Sequence, residues 1–515
     1  MSSAKVIIRN LTANWVGYGT NLVVMFFLSP FIVHTLGVTQ YGIWQLLTVL
    51  TGYMGILDLG VRASTGRYII LFLGKKEFDK VDETIRTGLG LYACVGGLIF
   101  VASIIIASVF PWIFPSAPSE YHAVVSAILP ILAVNIWVSA LRTVLSSVLT
   151  AHERFDLSRG SDLIMLAIQT VGTVAALKFG YQLIGLTAAV VGSNIVGLLV
   201  TYYLANRIHV ELKLWPLILK KERVSELWNY GIGAFIIAIS AKIIGQTDFV
   251  LVGNLISVDA VAVYGVGAML LYYSNTVLAQ IGYTFFPALQ RAVAQDEMGS
   301  ARWLLFRQIR LAMILGIAMF VGFIFFGEAF IQLWMFHPEK FTIEYVRQAA
   351  LVMAILSGSK LLTLFSYGCR TILNATGHIG FSAKMTLIQA FSNLILSILF
   401  VVVLDWGLAG VAAGTFMARL LADTFIVPPY ACHKSGIKYR SYLAIVGGRG
   451  VLTGLLFAAI CYGVQQLLPC SDWWEFFTQV GLALLLYAPV ALLLLVSAED
   501  RWRLGGKIGK LLPSS

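Results

Sequence analysis

Apolar runs of about twenty residues or more recur roughly fourteen times along this chain, separated by short polar connections. A stretch of about 20 residues crosses the hydrocarbon core of a bilayer as a helix. No water is available there, so the backbone must bond within each segment. The pattern therefore predicts spans near 11–35, 41–70, 87–110, 121–150, 161–179, 184–205, 231–254, 260–287, 303–326, 345–373, 381–403, 407–430, 443–467 and 475–497. Most tryptophans, among them Trp44, Trp112, Trp228, Trp334, Trp406, Trp473 and Trp474, fall near the ends of these runs, where indoles prefer to sit.

The polar connections differ from one another in a regular way. Every second one is rich in Lys and Arg, with 25 such residues on that side against only Lys178, Lys340 and Arg347 on the other. By the positive-inside rule the basic side is cytoplasmic, which puts both chain ends in the cytoplasm and the protein in a cell (inner) membrane. Composition agrees: 59% of the 515 residues are hydrophobic, 12% are charged and the mean hydropathy is +0.85. A soluble domain carries about twice that share of charge. The net charge of +11 suits anionic lipid headgroups better than nucleic acid, because the basic residues are spread over one membrane face.

A weak internal repeat divides the chain. Tyr41-Gly42 recurs as Tyr264-Gly265, Leu149-x-Ala151 as Leu373-x-Ala375, and Gly185-Leu186 as Gly407-Leu408, at offsets of 222 to 224. Six spans separate the copies, so both run in the same direction. The expected fold is all-α, with two six-helix lobes in a pseudo-twofold arrangement followed by two extra helices. The corresponding segments are 1–205, an interfacial amphipathic linker at 206–229, 230–432, 433–500 and a basic tail at 501–515.

Charges inside the spans cost at least about 2.5 kcal/mol each on insertion scales, so they mark function or pairing. Asp58 with Arg62, and Arg419 with Asp423, are four apart and suited to pair along one helix. Arg142, Lys242 and Lys360 have no acid three or four residues away. They are expected either to pair across helices with Asp58, Asp248 or Asp423, or to join Arg62 and Arg419 in a cationic cavity. Asn10, Asn14, Tyr18 and Asn21 form one polar helical stripe that, with Gln246, would line such a cavity. Asp248 is the candidate carrier of H⁺ or Na⁺. Five scattered cysteines and seven isolated histidines offer no disulfide framework and no metal site. Phosphate-loop and dinucleotide motifs are absent. No cofactor, nucleic-acid partner or catalytic set is expected.

The run Pro30-Phe31-Ile32-Val33-His34-Thr35-Leu36-Gly37-Val38-Thr39-Gln40-Tyr41-Gly42-Ile43-Trp44, with Leu57-Asp58-Leu59-Gly60, resembles the N-terminal pattern of polysaccharide-type flippases in the multidrug/oligosaccharidyl-lipid/polysaccharide exporter superfamily. Leu373-Asn374-Ala375-x-Gly377 resembles their C-terminal-half pattern, and the family has Arg where this chain has His34. The resemblance implies two lobes around a central cavity and export, by alternating access, of a polyprenyl-diphosphate-linked oligosaccharide, in company with membrane lipids and polysaccharide-assembly proteins. The rival readings are a multidrug cation antiporter, which would want an acidic cavity, and a membrane glycosyltransferase or polymerase, which would want a long polar outer loop. A scaffold of a polysaccharide-assembly complex would not need the mid-span cations.

Overall fold

A computed structural model of the protein describes residues 4–58, 60–208 and 214–496, and the side chains of Asn10, Asp58 and Arg62 fall outside the described set. The helices are α1 (Ala4–Met54), α2 (Val61–Gly74), α3 (Phe78–Ile113), α4 (His122–Ala151), α5 (Phe155–Lys178), α6 (Gln182–Ile208), α7 (Lys221–Leu255) and α8 (Val258–Ala294). They continue with α9 (Met298–Met335), α10 (Ile343–Ala375), α11 (Ile379–Ile398), α12 (Gly407–Arg419), α13 (Val427–Ser435), α14 (Tyr439–Tyr442), α15 (Arg449–Leu467) and α16 (Trp473–Leu494). The all-α expectation holds: among the described residues the sole β feature is a bridge between His337 and Phe341.

Twelve helical stretches among the described residues are long and apolar enough to cross a membrane. The first of them, within α1, breaks at Gly37, whose φ of 75° and ψ of 175° are not helical. In addition α7, at 35 residues, is long enough to cross. Counting both arms of α1 and adding α7 brings the number to about fourteen. The span expected at 41–70 is not one straight helix. It passes through a 3₁₀ turn at Gly55–Asp58 and restarts after Gly60, at φ 76°. The second half of the chain also contains three π-helical stretches, at Leu399–Val403, Leu420–Ile426 and Leu443–Gly448.

The repeat has a physical basis in the turns. Helix α4 closes with Glu153 at φ 57° and a bond from Arg154 N to Leu149 O. Helix α10 closes with Gly377 at φ 81° and a bond from His378 N to Leu373 O. Both are the six-to-one helix closure that needs a left-handed residue. Gln182 and Asp405 repeat the correspondence one helix later, at φ 44° and 55°. The Tyr41-Gly42 motif is explained as well. A Cβ on Gly42 would lie 2.0 Å from the carbonyl oxygen of Val258, so the opening of α8 can approach only a glycine.

The chain forms two compact units, residues 1–262 and 263–515. Within the first, α7 packs on α1, α2 and α3, while α4, α5 and α6 pack on one another. One buried cluster there joins Ile69, Phe72, Ile85, Tyr92, Leu145 and Val148. Within the second, α9 packs on α10, and α15 and α16 also dock on α9. Its core includes Phe320, Tyr442, Phe457 and Tyr487, whose hydroxyl donates to Ile314 O at 2.9 Å. The interfacial tail expected at 501–515 lies outside the described residues, as does 209–213 of the linker.

Candidate functional site

Helices α4 and α5 are joined by a short turn, so Arg142, nine residues before the end of α4, and Asp162, seven after the start of α5, come level. Arg142 Nη1 donates to Asp162 Oδ1 at 2.8 Å, and Arg159 Nη1 donates to Oδ2 of the same carboxylate at 3.0 Å. Arg159 Nε also donates to Asn14 Oδ1 at 2.6 Å, which ties the polar stripe of α1 to the network. Two guanidinium groups thus share one carboxylate. Arg142 Nε is buried and makes no hydrogen bond among the described residues. Room for the arginine comes from Gly197 on α6, where a Cβ would reach 2.2 Å from Met165 Sδ and 3.3 Å from Arg142 Cδ. The partner of Arg142 is therefore none of the three acids expected from the sequence. Twenty residues of separation hid Asp162, although it was the one acid inside its predicted span.

A second network lies in the second unit. Lys360, Thr363, Tyr367 and Arg370 follow three- and four-residue steps along one face of α10. Arg370 donates through Nη2 to Asp423 Oδ1 at 2.8 Å and to Gln389 Oε1 at 3.0 Å, and through Nη1 to Thr386 at 3.2 Å. Arg419 Nη1 donates to Thr363 Oγ1 at 2.8 Å, and that hydroxyl in turn donates to Asp423 Oδ2 at 3.4 Å. Lys360 lies close enough to Arg419 and Asp423 to interact electrostatically with both. Asp423 itself is 1% exposed. Two guanidinium groups thus flank one carboxylate, with the Lys360 amine beside them. Arg370 makes the direct bond to Asp423, while Arg419, four residues before it, acts on it electrostatically and through Thr363, since Leu420–Ile426 is π-helical and does not stack residues four apart. Arg370 was missed because it sits near a helix end among residues of the basic side.

Gln246 and Asp248 occupy a third place, where α1 meets α7. A Cβ on Gly52 would come within 2.6 Å of Gln246 Oε1, so that amide packs against the bare backbone of α1. Tyr53 Oη and Thr247 Oγ1 are 2.9 Å apart, and the neighbouring Asp248 is 7% exposed. Lys242 is half-buried one and a half turns earlier on α7. Tyr18 and Asn21 are half-buried on α1. Neither Asn10 nor the Asp58–Arg62 pair belongs to the described side chains. Among the described residues no group of three His, Cys, Asp or Glu side chains is placed to hold a metal ion.

Comparison with known proteins adds three findings. A family described as polysaccharide biosynthesis protein matches residues 33–336, more than half of the chain. A probable low-salt glycan biosynthesis flippase of Haloferax volcanii is 24% identical over 498 residues, covering 96% of this chain and 95% of that protein. Among solved structures, the lipid II flippase MurJ in an inward closed conformation superposes with a TM-score of 0.70 at 14% identity, over 95% of this chain and 98% of that one. An inward-facing multidrug resistance MATE family transporter of the MOP superfamily gives 0.69 at 14% identity, over 80% and 94%. The fold is that shared by these carriers.

Proposed function

Since the chain belongs to the polysaccharide biosynthesis protein family, we propose that it is a flippase that carries a polyprenyl-diphosphate-linked oligosaccharide from the cytoplasmic to the outer leaflet by alternating access. One observation carries this reading: both ionic networks hold more cations than acids, Arg142 and Arg159 around Asp162, and Arg370 and Arg419, with Lys360 beside them, around Asp423. An anionic diphosphate is matched by that surplus, since guanidinium groups bind phosphate oxygens by short charge-assisted hydrogen bonds. A carrier of cationic drugs would call for the opposite balance.

The 25-to-3 excess of basic residues supports an inner-membrane orientation with cytoplasmic ends. Asp248, an acid buried among the α1–α7 contacts, is our candidate for coupling to H⁺ or Na⁺. The protein acts as a carrier rather than as an enzyme. The direct test is proteoliposome transport of a lipid-linked oligosaccharide carrying a fluorophore on its sugar, with a membrane-impermeant quencher outside. Protection of the fluorophore that changes only in vesicles holding the protein supports the proposal, and identical quenching with and without protein refutes it.

A further inference from the structure

Within the first unit, α3, α4 and α6 line a groove of about 340 Å³ with the linker beside it. Its lining is apolar or aromatic: Leu89 and Ala93 from α3, Trp137, Leu141 and Leu145 from α4, Leu198, Leu199 and Tyr202 from α6, and Leu214, Trp215 and Leu217 from the linker. That volume is at the small end of ligand cavities, which run from roughly 300 to 1,000 Å³. It accepts a length of one hydrocarbon chain and excludes a headgroup.

The linker is held at the groove by specific contacts. Arg86 Nε donates to Pro216 O at 2.7 Å, between the lining residues Trp215 and Leu217. Lys220 pairs with Glu83, one turn of α3 before Arg86, and Arg223 reaches the same carboxylate at 3.5 Å. Gly90 makes the approach possible, because a Cβ there would lie 3.0 Å from Ile218 O. Arg86 and Lys220 therefore stand where the linker meets the groove, Lys220 paired with Glu83, while Arg223 is held by Glu83 and Glu226. Trp215, 77% exposed, stands at the rim. An apolar slot with a cationic rim is complementary to a phosphate on a single chain, and anionic lipids are concentrated on the membrane face that basic segments contact.

We propose that this groove holds one acyl chain of an anionic glycerophospholipid from the leaflet on the basic side, with its phosphate at Arg86 and the linker lysines. The lipid fastens the 214–220 segment to α3, α4 and α6. Which face is cytoplasmic follows from the orientation proposed above, but lipid selectivity does not depend on it, and the test uses no transport.

The full-length protein would be placed in phosphatidylcholine vesicles containing, at equal mole fraction, either phosphatidylglycerol or phosphatidylcholine with brominated chains. Bromine quenches tryptophan at contact, and subtracting the signal of a Trp137→Phe/Trp215→Phe variant isolates the groove indoles. The expected result is that brominated phosphatidylglycerol is favoured at those indoles. Arg86→Gln should weaken this preference about fivefold, the contribution of one basic side chain at an anionic surface. A Leu145→Phe/Leu198→Phe variant, which fills the slot, should lose the groove-specific quenching while the other tryptophans report as before. Equal quenching by the two brominated lipids, or an unchanged preference in Arg86→Gln or in the filled variant, overturns the proposal. So does relief of the quenching by added polyprenyl phosphate, which would assign the groove to an isoprenoid chain.

Discussion

Arg370 and Asp423 lie 53 residues apart in sequence and 2.8 Å apart in space, the arginine on α10 and the acid in the π-helical stretch after α12. That bond supplies the one carboxylate in a group otherwise made of cations and neutral hydrogen-bonding side chains. Removing one partner of a buried ion pair costs about 3–5 kcal/mol, because the other charge is left uncompensated. Asp423→Asn should accordingly lower the thermal unfolding temperature of the detergent-purified protein. Arg370→Gln added to it should recover part of the loss. A double variant no more stable than Asp423→Asn would mean that the pair does not bear on folding.

The cations are expected to matter for transport beyond their structural pairing. Arg142→Ala and Lys360→Ala should each reduce proteoliposome transport about tenfold or more, the scale of one lost charge-assisted hydrogen bond. Lys178→Ala and Lys340→Ala, in connections of the opposite face, should stay near wild type at matched reconstitution. Similar losses at all four positions would remove the case for specific headgroup cations.

Gly42→Ala should fail to accumulate as folded protein, since its new methyl carbon would meet a carbonyl oxygen at 2.0 Å. Gly97→Ala, on α3, meets nothing within 4 Å and should be neutral or gain roughly 0.5–1 kcal/mol from helix propensity. Size-exclusion profiles of fluorescent fusions would compare the two. Equal recovery of both would show that the opening of α8 does not need a glycine at position 42.

Much of the fold was legible because bilayer physics writes it in simple code: run length gave most of the helices, and the gaps between runs bracketed the turns at Gly37 and Gly377. The ionic partners were harder to see. Arg142 finds Asp162 across an interhelical turn, and Asn14 meets Arg159 145 residues away. Periodicity along one helix carries no information about either. Arg370 was obscured for another reason, since a cation near a helix end reads as an ordinary mark of orientation. The candidate pair Arg419–Asp423 was a sound inference for an α-helix, and in the wider local helix the two meet through Thr363 while Arg370 makes the direct bond.

Orientation can be tested at chosen surface positions. Cysteines at Ser116 and Ser471 should react with a membrane-impermeant maleimide from outside intact cells, and one at Asp79 only after permeabilisation. Ser435 is unsuitable as an inside reporter, being 3% exposed with its carbonyl bonded to Arg302 Nε, and Lys438 is the better choice. Native Cys470 also lies outside the spans. Its thiol is pushed above the ordinary range by burial and by the carboxylates of Glu475 and Asp472. Thiolate is the reactive form. Alkylation of Cys470 should thus rise with pH over a range higher than that of a free thiol, whose pKa is about 8.5. A profile matching a model thiol would contradict that environment.

Coupling has its own measurement. Asp248→Asn should abolish stimulation of transport by an imposed H⁺ or Na⁺ gradient while leaving binding of the headgroup intact. A normal response to both gradients in that variant would clear Asp248 of the role.

The π-helical stretch at Leu420–Ile426 places a length requirement where a residue requirement would ordinarily be sought. Such a stretch is an α-helix carrying one surplus residue. Deleting a single residue between 420 and 422 would restore ordinary winding, leave the residues beyond the stretch facing as before, and shift Asp423, inside it, around and along the axis. Asp423 would then turn away from Arg370 with every side chain of the network still encoded. Relatives that share all of these residues but differ here by one position in length would thus have lost the arrangement, and an alignment scored on identity alone would not reveal it.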